Sequence, residues 1–576
     1  MAPDDTAASS TGRFCILAWN HLQIAPNGTV KMCCVASEDI HDNGRPFNIY
    51  IDSYESIWNS DYMREARRGL VAGEDVSACR RCFDEEKLVG QSRRTIQTTY
   101  HLDTVYGCDA EDFIAEARRN DWRVEDRPHF LQLNMGNQCN LACRMCSSQY
   151  SSRIEADPVH SKWMPSHVTD VARWQGDRLP IGPRPVVGVE VEGCHRYQVG
   201  ANVSHRWTSG TGRFSLDIPH GSHLTRLGLE LAVAPGNAGT VRIQVNGLTA
   251  YTETLSPQKR LIVVPLDGLG NQSRLEFSVS SGTVEHDGRT LGVAIHAAWL
   301  ERDPARSSDR SNSRTLTRFA TTAGWWGQPE FMFDEMLAQP DKIKRLIFQG
   351  GEPMMVKEFE GILDHLIEAG VTQGIILEIV SNLTLLKDSV LDKLSQFAAV
   401  ELGCSIDGIG PDLEYIRWPA QWQTITDNIA RALRVPSIRV QFNVAVQAYN
   451  LMRITDLMRY CDARAIMVHT HFLVGPAYLS ILVLPPALRR VALTRIEAYL
   501  NGPDVTPHNR ASAEYMATFL RQQDDVHHRH LFEQFMLFTN DMDTSRDQDF
   551  VAAHPEVLQA LADDGLVWTA QTRHNP

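Results

Sequence analysis

His129-Phe130-Leu131-Gln132-Leu133-Asn134 runs, four residues later, into Cys139-Asn-Leu-Ala-Cys143-Arg-Met-Cys146, and the reading of the fold turns on this stretch. The first segment alternates apolar and polar residues, the period of a β-strand. The cysteines then fall on a loop, where three thiolates within eight residues can converge on one face of a cubane iron–sulfur cluster. Four cysteines would ligate all four irons; three leave one iron without a protein ligand. Such an open position is where catalytic metal centres take a small molecule. The competing readings are a chance grouping and a zinc site, and no suitable nearby histidine completes the latter.

Outward toward the C-terminus, residues from about 330 to 474 show strand–helix alternation. Strands are predicted at Arg345–Phe348, Ile375–Val380, Val400–Ile406, Ile438–Val446 and Ala465–Leu473, with helical patterns between them, as at Phe359–Ala369. With the strand at 130–134 this makes six βα units, an α/β fold with a parallel sheet or open barrel whose first part spans 128–180. The second strand ends in Gly350-Gly351-Glu352-Pro353, a turn whose glycines admit close backbone approach. Residues 487–576 read as helical.

Between the first and second units the composition shifts. From 186 to 302, short Val/Ile/Leu alternations are broken by turn residues, as in Val241-Arg-Ile-Gln-Val245 before Asn246-Gly247, a hairpin signal. These strands predict an inserted all-β sandwich of about 110 residues. Pro183-Arg184-Pro185 and the polar run Arg302–Arg314 read as its linkers. Upstream, residues 13–95 group Cys15, Cys33, Cys34, Cys79 and Cys82 around a turn at Asn27-Gly28.

The Cys-x3-Cys-x2-Cys spacing after a strand resembles the cluster loop of the radical S-adenosylmethionine (SAM) superfamily, with Met145 where that family usually has an aromatic. The resemblance covers 13–95, 128–180 and 318–486. It implies a partial (β/α)6 barrel, a [4Fe–4S] cluster on Cys139, Cys143 and Cys146, and S-adenosylmethionine on the open iron. Gly350, Gly351, Glu352 and Pro353 would form the methionine-binding turn. Ser381, Asn382, Ser405, Asp407 and Arg417 resemble residues lining the rest of the cofactor. Gly28-Thr-Val-Lys-Met-Cys33 and Cys79-Arg-Arg-Cys82 resemble the SPASM auxiliary-cluster module in its shortened twitch form. Cys15, Cys33, Cys79 and Cys82 would then hold an auxiliary [4Fe–4S] cluster, with Cys34 spare or exchanging with Cys33. A structural zinc site on the same thiolates is the alternative. Cys404 reads as a core thiol, and Cys108, Cys194 and Cys461 carry no assignment.

The resemblance implies an oxidoreductase-like enzyme that cleaves S-adenosylmethionine reductively to a 5′-deoxyadenosyl radical and abstracts hydrogen, fed by a flavodoxin- or ferredoxin-type reductant. Tyr478 and Ser480, after the last strand, are expected at the substrate wall. The inserted domain, carbohydrate-binding-like by strand rhythm and the Asp287-Gly-Arg289 turn, tilts the substrate toward a saccharide or glycan. Modification of a ribosomal peptide is the alternative, and a non-catalytic iron–sulfur scaffold is the rival of another class.

Composition bounds the rest. A net charge of −14 excludes a large nucleic-acid footprint, which needs a basic stripe. The charge-free run Phe472–Leu488 is broken by Gly475, Pro476, Pro485 and Pro486 and is slightly short for a bilayer, so no membrane span is expected. Met1–Gly12 lacks the pattern of a signal peptide. A cytoplasmic protein is expected, whose twelve cysteines are thiols or metal ligands.

Overall fold

The computed structural model describes residues 12–164, 172–173, 178–179, 186–195, 198–199, 204–218, 222–237, 239–266, 273–286, 288–302, 324–327, 330–523 and 528–572. The chain divides into two compact units, one of residues 1–128 and 168–338, the other of 129–167 and 339–576.

The first unit opens on a small hairpin, β1 (His21–Ile24) and β2 (Val30–Lys31), paired antiparallel. Gly28 makes its turn at φ 83° and packs against Tyr50 and Asn48. Helix α1 (Asp61–Ala72) follows, its start capped by the Ser60 hydroxyl and its end by Gly73 at φ 77°. Helix α2 (Arg80–Val89) starts directly after Cys79 and carries Cys82 in its first turn. The second unit begins with β3 (Phe130–Asn134), buried at every position, and the cysteine loop.

The chain then returns to the first unit as an all-β region: β4 (Val189–Cys194), β5 (Ser204–Asp217), β6 (Leu224–Val233), β7 (Thr240–Val245), β8 (Leu248–Thr254), β9 (Arg260–Pro265), β10 (Arg274–Ser280) and β11 (Val293–Arg302). The hydrogen-bonded order is β8-β7-β10-β5-β11-β6-β9, antiparallel throughout. The strands thus form one path, because β5 pairs β11 through Arg206 and Trp207 and β10 through Thr211–Asp217. Both halves bury alternate residues in one core, with Phe214, Ile243 and Phe277 from one and Leu229, Ile262 and Ile295 from the other. Asn246 and Gly247 take φ 47° and 81° between β7 and β8, the left-handed pair a two-residue hairpin turn demands. Paired strands at Ala172–Arg173 and Arg178–Leu179 place the start of this region upstream of the boundary expected at 186. The expected linker at 183–185, Asp287 and residues 303–314 lie outside the described residues.

This region is built onto the N-terminal module. Gly188 lies so close to Ile51 that a Cβ would stand 2.4 Å from its Cδ1. After the β region, Trp325 is fully buried, its indole N–H donating to the Ala25 carbonyl at 2.9 Å.

In the second unit β3 is joined by β12 (Arg345–Gln349), β13 (Ile376–Ser381), β14 (Ala399–Ser405), β15 (Ile438–Val446) and β16 (Met467–Phe472), all parallel and in sequential order. Helix α3 (Lys357–Glu368) follows β12, and α4 (Pro411–Ile416) follows β14. Each expected strand forms within two residues of its sequence boundary. The charge-free run after β16 is a loop of short turns leading into α5 (Pro486–Leu500). Helices α6 (Pro507–Gln522) and α7 (Arg529–Arg546) continue the expected helical tail. Among the described residues no helix is long and apolar enough to cross a membrane.

Candidate functional site

The cysteine loop is held by its backbone. Ala142 N donates to Trp418 O at 2.8 Å and Arg144 N to Ile416 O at 2.9 Å, while Cys139 N reaches Ser152 Oγ at 3.2 Å. Cys139, Cys143 and Cys146 all line one cavity of about 600 Å³ at the C-terminal ends of the parallel strands, a volume typical of small-molecule sites. Burial pushes the Cys139 thiol up to about 12, helped by neighbouring Cys143. Burial raises Cys143 and Cys146 as well. Such thiols stay protonated until a metal displaces the protons.

Gly350, Gly351, Ser381, Asn382, Ser405 and Arg417 line the same cavity. Arg417 lies 3.7 Å from Cys143 Sγ through Nη1 and pairs with Asp407 at 2.7 Å. Asn382 Nδ2 lies 3.8 Å from Cys139 Sγ. Hydrogen bonds of this kind to cluster sulfurs tune a cluster's potential.

The glycines do something the sequence reading did not anticipate. A Cβ on Gly351 would stand 2.4 Å from the Gln138 carbonyl oxygen, and one on Gly350 2.9 Å from Met135 N. Gly351 N donates to Gly136 O at 3.0 Å and Glu352 N to Gln138 O at 2.8 Å. Gly350 and Gly351 therefore admit the backbone that carries Cys139, and the Gly351 and Glu352 N–H groups are spent on it. Glu352, Pro353 and Asp407, expected at the cofactor, are not among the residues lining the cavity. Glu352 is fully buried, and its carboxylate accepts from Ser381 Oγ (2.9 Å), Asn382 N (2.7 Å) and Met354 N (3.2 Å). Burial lifts its carboxyl to about 7 against those bonds. It braces one strand end against the next. Asp407 likewise holds Arg417 from behind and accepts from Ala445 N at 2.8 Å.

Tyr150, Trp163, Met164, Gly475 and Pro476 also line the cavity. Trp163 and Tyr150 were not legible, being lone aromatics outside any periodic segment. Met145 lines it as well. Tyr478 and Ser480 do not: the Tyr478 ring stands behind Trp163 at 5.5 Å, and the Ser480 hydroxyl caps a turn at Leu482 N.

In the N-terminal module Cys15, Cys33, Cys79 and Cys82 are all buried, and Cys34 is half-buried. The four buried thiols are close enough to perturb one another: burial first, then neighbouring thiolates, raise Cys33 to about 12, and Cys79 rises for the same causes. Burial lifts Cys15 to about 11. The segment before the hairpin supplies Cys15, the residues just after it Cys33, and the start of α2 Cys79 and Cys82. Among the described residues no three His, Cys, Asp or Glu side chains meet at one point as ligands of a single ion do.

Residues 15–83 match SPASM, an iron–sulfur cluster-binding domain. No curated protein matches the chain. Among solved structures, a mutant of the family 29 carbohydrate-binding module CBM29-2 is 16% identical over 21% of this chain and 86% of that one, with a TM-score of 0.15. Native anSMEcpe with bound AdoMet and Cp18Cys peptide is 19% identical over 28% of this chain and 49% of that one, at 0.23. Streptococcus suis SuiB bound to S-adenosylmethionine is 16% identical over 28% and 39%, also at 0.23. The SPASM match lies in the segment whose thiols the fold gathers, before the parallel sheet.

Proposed function

We propose that the chain is a radical SAM enzyme with a partial (β/α)6 barrel, an N-terminal auxiliary-cluster module and an inserted β-sandwich. One observation carries the reading: three thiols from an eight-residue loop share a single cavity with Gly350, Gly351, Asn382, Ser405 and Arg417. Cys139, Cys143 and Cys146 would hold a [4Fe–4S] cluster with one iron open to S-adenosylmethionine. Cys15, Cys33, Cys79 and Cys82 would hold the auxiliary cluster, a reading the SPASM match supports. When bound, the cluster and S-adenosylmethionine supply a 5′-deoxyadenosyl radical able to take hydrogen from a strong C–H bond.

The chain's own part is placement and dryness. Arg417 and Asn382 hold two of the three sulfurs in position, and the Gly350–Gly351 turn lets the cysteine loop lie against the strand end. Tyr150, Trp163 and Met164 line the cavity with aromatic and apolar surface. The substrate reading is a saccharide or glycan-linked molecule oxidised with help from the auxiliary cluster, or a ribosomal peptide. A flavodoxin- or ferredoxin-type reductant and a cytoplasmic setting belong to the same reading.

The test is anaerobic incubation of iron-reconstituted protein with S-adenosylmethionine and dithionite. Release of 5′-deoxyadenosine supports the enzyme; cluster-replete protein that releases none is the scaffold instead. Deuterium transfer into 5′-deoxyadenosine from labelled sugars or peptides then separates the two substrate classes.

A further inference from the structure

Arg144 sits between the second and third cysteines and points away from the cavity into protein. Its side chain is fully buried. The guanidinium stacks on the Tyr415 ring at 3.8 Å from its centre and donates to Asp543 Oδ1 at 2.5 Å and to Gln548 Oε1 at 2.9 Å. Asp543 is itself fully engaged: Oδ1 also accepts the Tyr415 hydroxyl at 2.7 Å, and Oδ2 the Phe550 N–H at 2.7 Å. A buried, stacked and charge-assisted arginine is a rigid attachment, because its planar fork loses little freedom in forming these bonds.

Asp543 belongs to α7, and the same helix reaches the site three more times. Asp541 accepts the Trp163 indole N–H at 2.7 Å, and Trp163 lines the cavity. Arg546 meets His160 Nδ1 at 2.8 Å, one turn before Trp163. Thr539 bonds the Tyr449 hydroxyl at 2.7 Å, beside Arg144. Residues 539, 543 and 546 share one helix face by their spacing. Asp543 thus meets the cysteine loop 399 residues away in the chain, and Asp541 meets Trp163 378 residues away.

We propose that α7 is the positioning element of the cavity: Asp543 tethers the Cys139–Cys146 loop through Arg144, and Asp541 fixes the wall through Trp163. The parallel sheet presents the thiols, and a helix outside it sets their spacing. The inference rests on the proposed function for its effect on turnover, but not for the geometry of the thiols.

The test therefore begins with iron-free, full-length protein. Iodoacetamide alkylation is followed cysteine by cysteine by mass spectrometry, with Cys15, Cys33, Cys79 and Cys82 as internal references. Asp543→Asn is expected to speed alkylation of Cys143 and Cys146 about tenfold and leave the reference cysteines unchanged, since a charge-assisted hydrogen bond lost from the closed loop shifts its local opening by about that factor. The double variant Arg144→Met/Asp543→Leu removes the stranded buried charge along with the tether. It is expected to regain part of the melting temperature lost in Asp543→Asn, the Tyr415 hydroxyl and Phe550 N–H staying unpaired, yet still alkylate fast. Unchanged rates in Asp543→Asn, or wild-type rates in the double variant, overturn the tether. In reconstituted protein, Asp543→Asn is also expected to shift the reduction potential of the loop's cluster upward, since a negative charge near it is lost, and to leave the auxiliary cluster where it was; an unmoved potential counts against the proposal. A wild-type protein whose spectrum ignores S-adenosylmethionine would sink the proposed function while leaving the alkylation result to stand.

Discussion

Gly351 shows how much a single missing carbon decides. Its Cβ position falls 2.4 Å from the Gln138 carbonyl, so alanine there must push the cysteine loop off the strand end. Gly351→Ala is expected to lower stability by about 1–3 kcal/mol and to reduce iron at the loop, read by melting temperature and iron content. Cys143→Ala is expected to abolish 5′-deoxyadenosine release and to leave the auxiliary iron, about four of eight irons per chain; normal turnover in that variant refutes the ligand assignment. At this scale the cysteines were legible because their spacing is chemical. Glu352 and Asp407 were legible as important but not as braces, since a motif marks a position and does not say which neighbour a carboxylate will face. Arg144 was invisible: between two cysteines, an arginine that stacks inward and one that points to solvent are spelled alike.

The elements were read more surely than their roles. The six parallel strands mix short apolar runs, as in Leu346-Ile347-Phe348, with alternation, as in Ile438–Val446, and β3 and β15 form over the very residues anticipated. The C-terminal helices were anticipated only as helices, because amphipathic periodicity shows a buried face without naming what it covers. His554, after α7, is 3% exposed among Tyr415, Phe550 and Asp412. Burial first, then the Arg453 charge, hold its imidazole down at about 4, below the ordinary 6.5. The unfolded chain takes up this proton between pH 6.5 and 4 while the folded chain refuses it. The stability it contributes is therefore complete above pH 6.5 and lost as pH falls through that window, by up to about 3 kcal/mol. His554→Gln is expected to flatten this part of the melting-temperature profile; an unchanged slope in the variant would show that other groups cause it.

For the whole molecule, the sequence showed a foreign all-β segment inside an α/β pattern because the hydrophobic period changes from mixed to strict alternation and Asn-Gly turns appear. It did not show that this segment packs on the N-terminal module, since the contacts of Gly188 with Ile51 and of Trp325 with Ala25 join residues far apart in the chain. Deleting 186–302 is accordingly expected to preserve 5′-deoxyadenosine release, whose residues all lie in the other unit, while loosening iron held by the N-terminal cysteines. Loss of release from a folded deletion protein would refute that division of labour. Equal iron retention in both modules would show that the β region lends the N-terminal module no support.

The pairing of β3 with β12 spans residues 134 to 345, and this separation sets a timetable for biosynthesis. At bacterial-like elongation speeds of about 5–20 residues per second, the nascent strand waits roughly 10–40 s on the ribosome for its parallel neighbour. During that interval a buried-type apolar strand and three reactive thiols are out in the open, so expression yield should respond to chaperone supply and to oxygen before any catalytic property does.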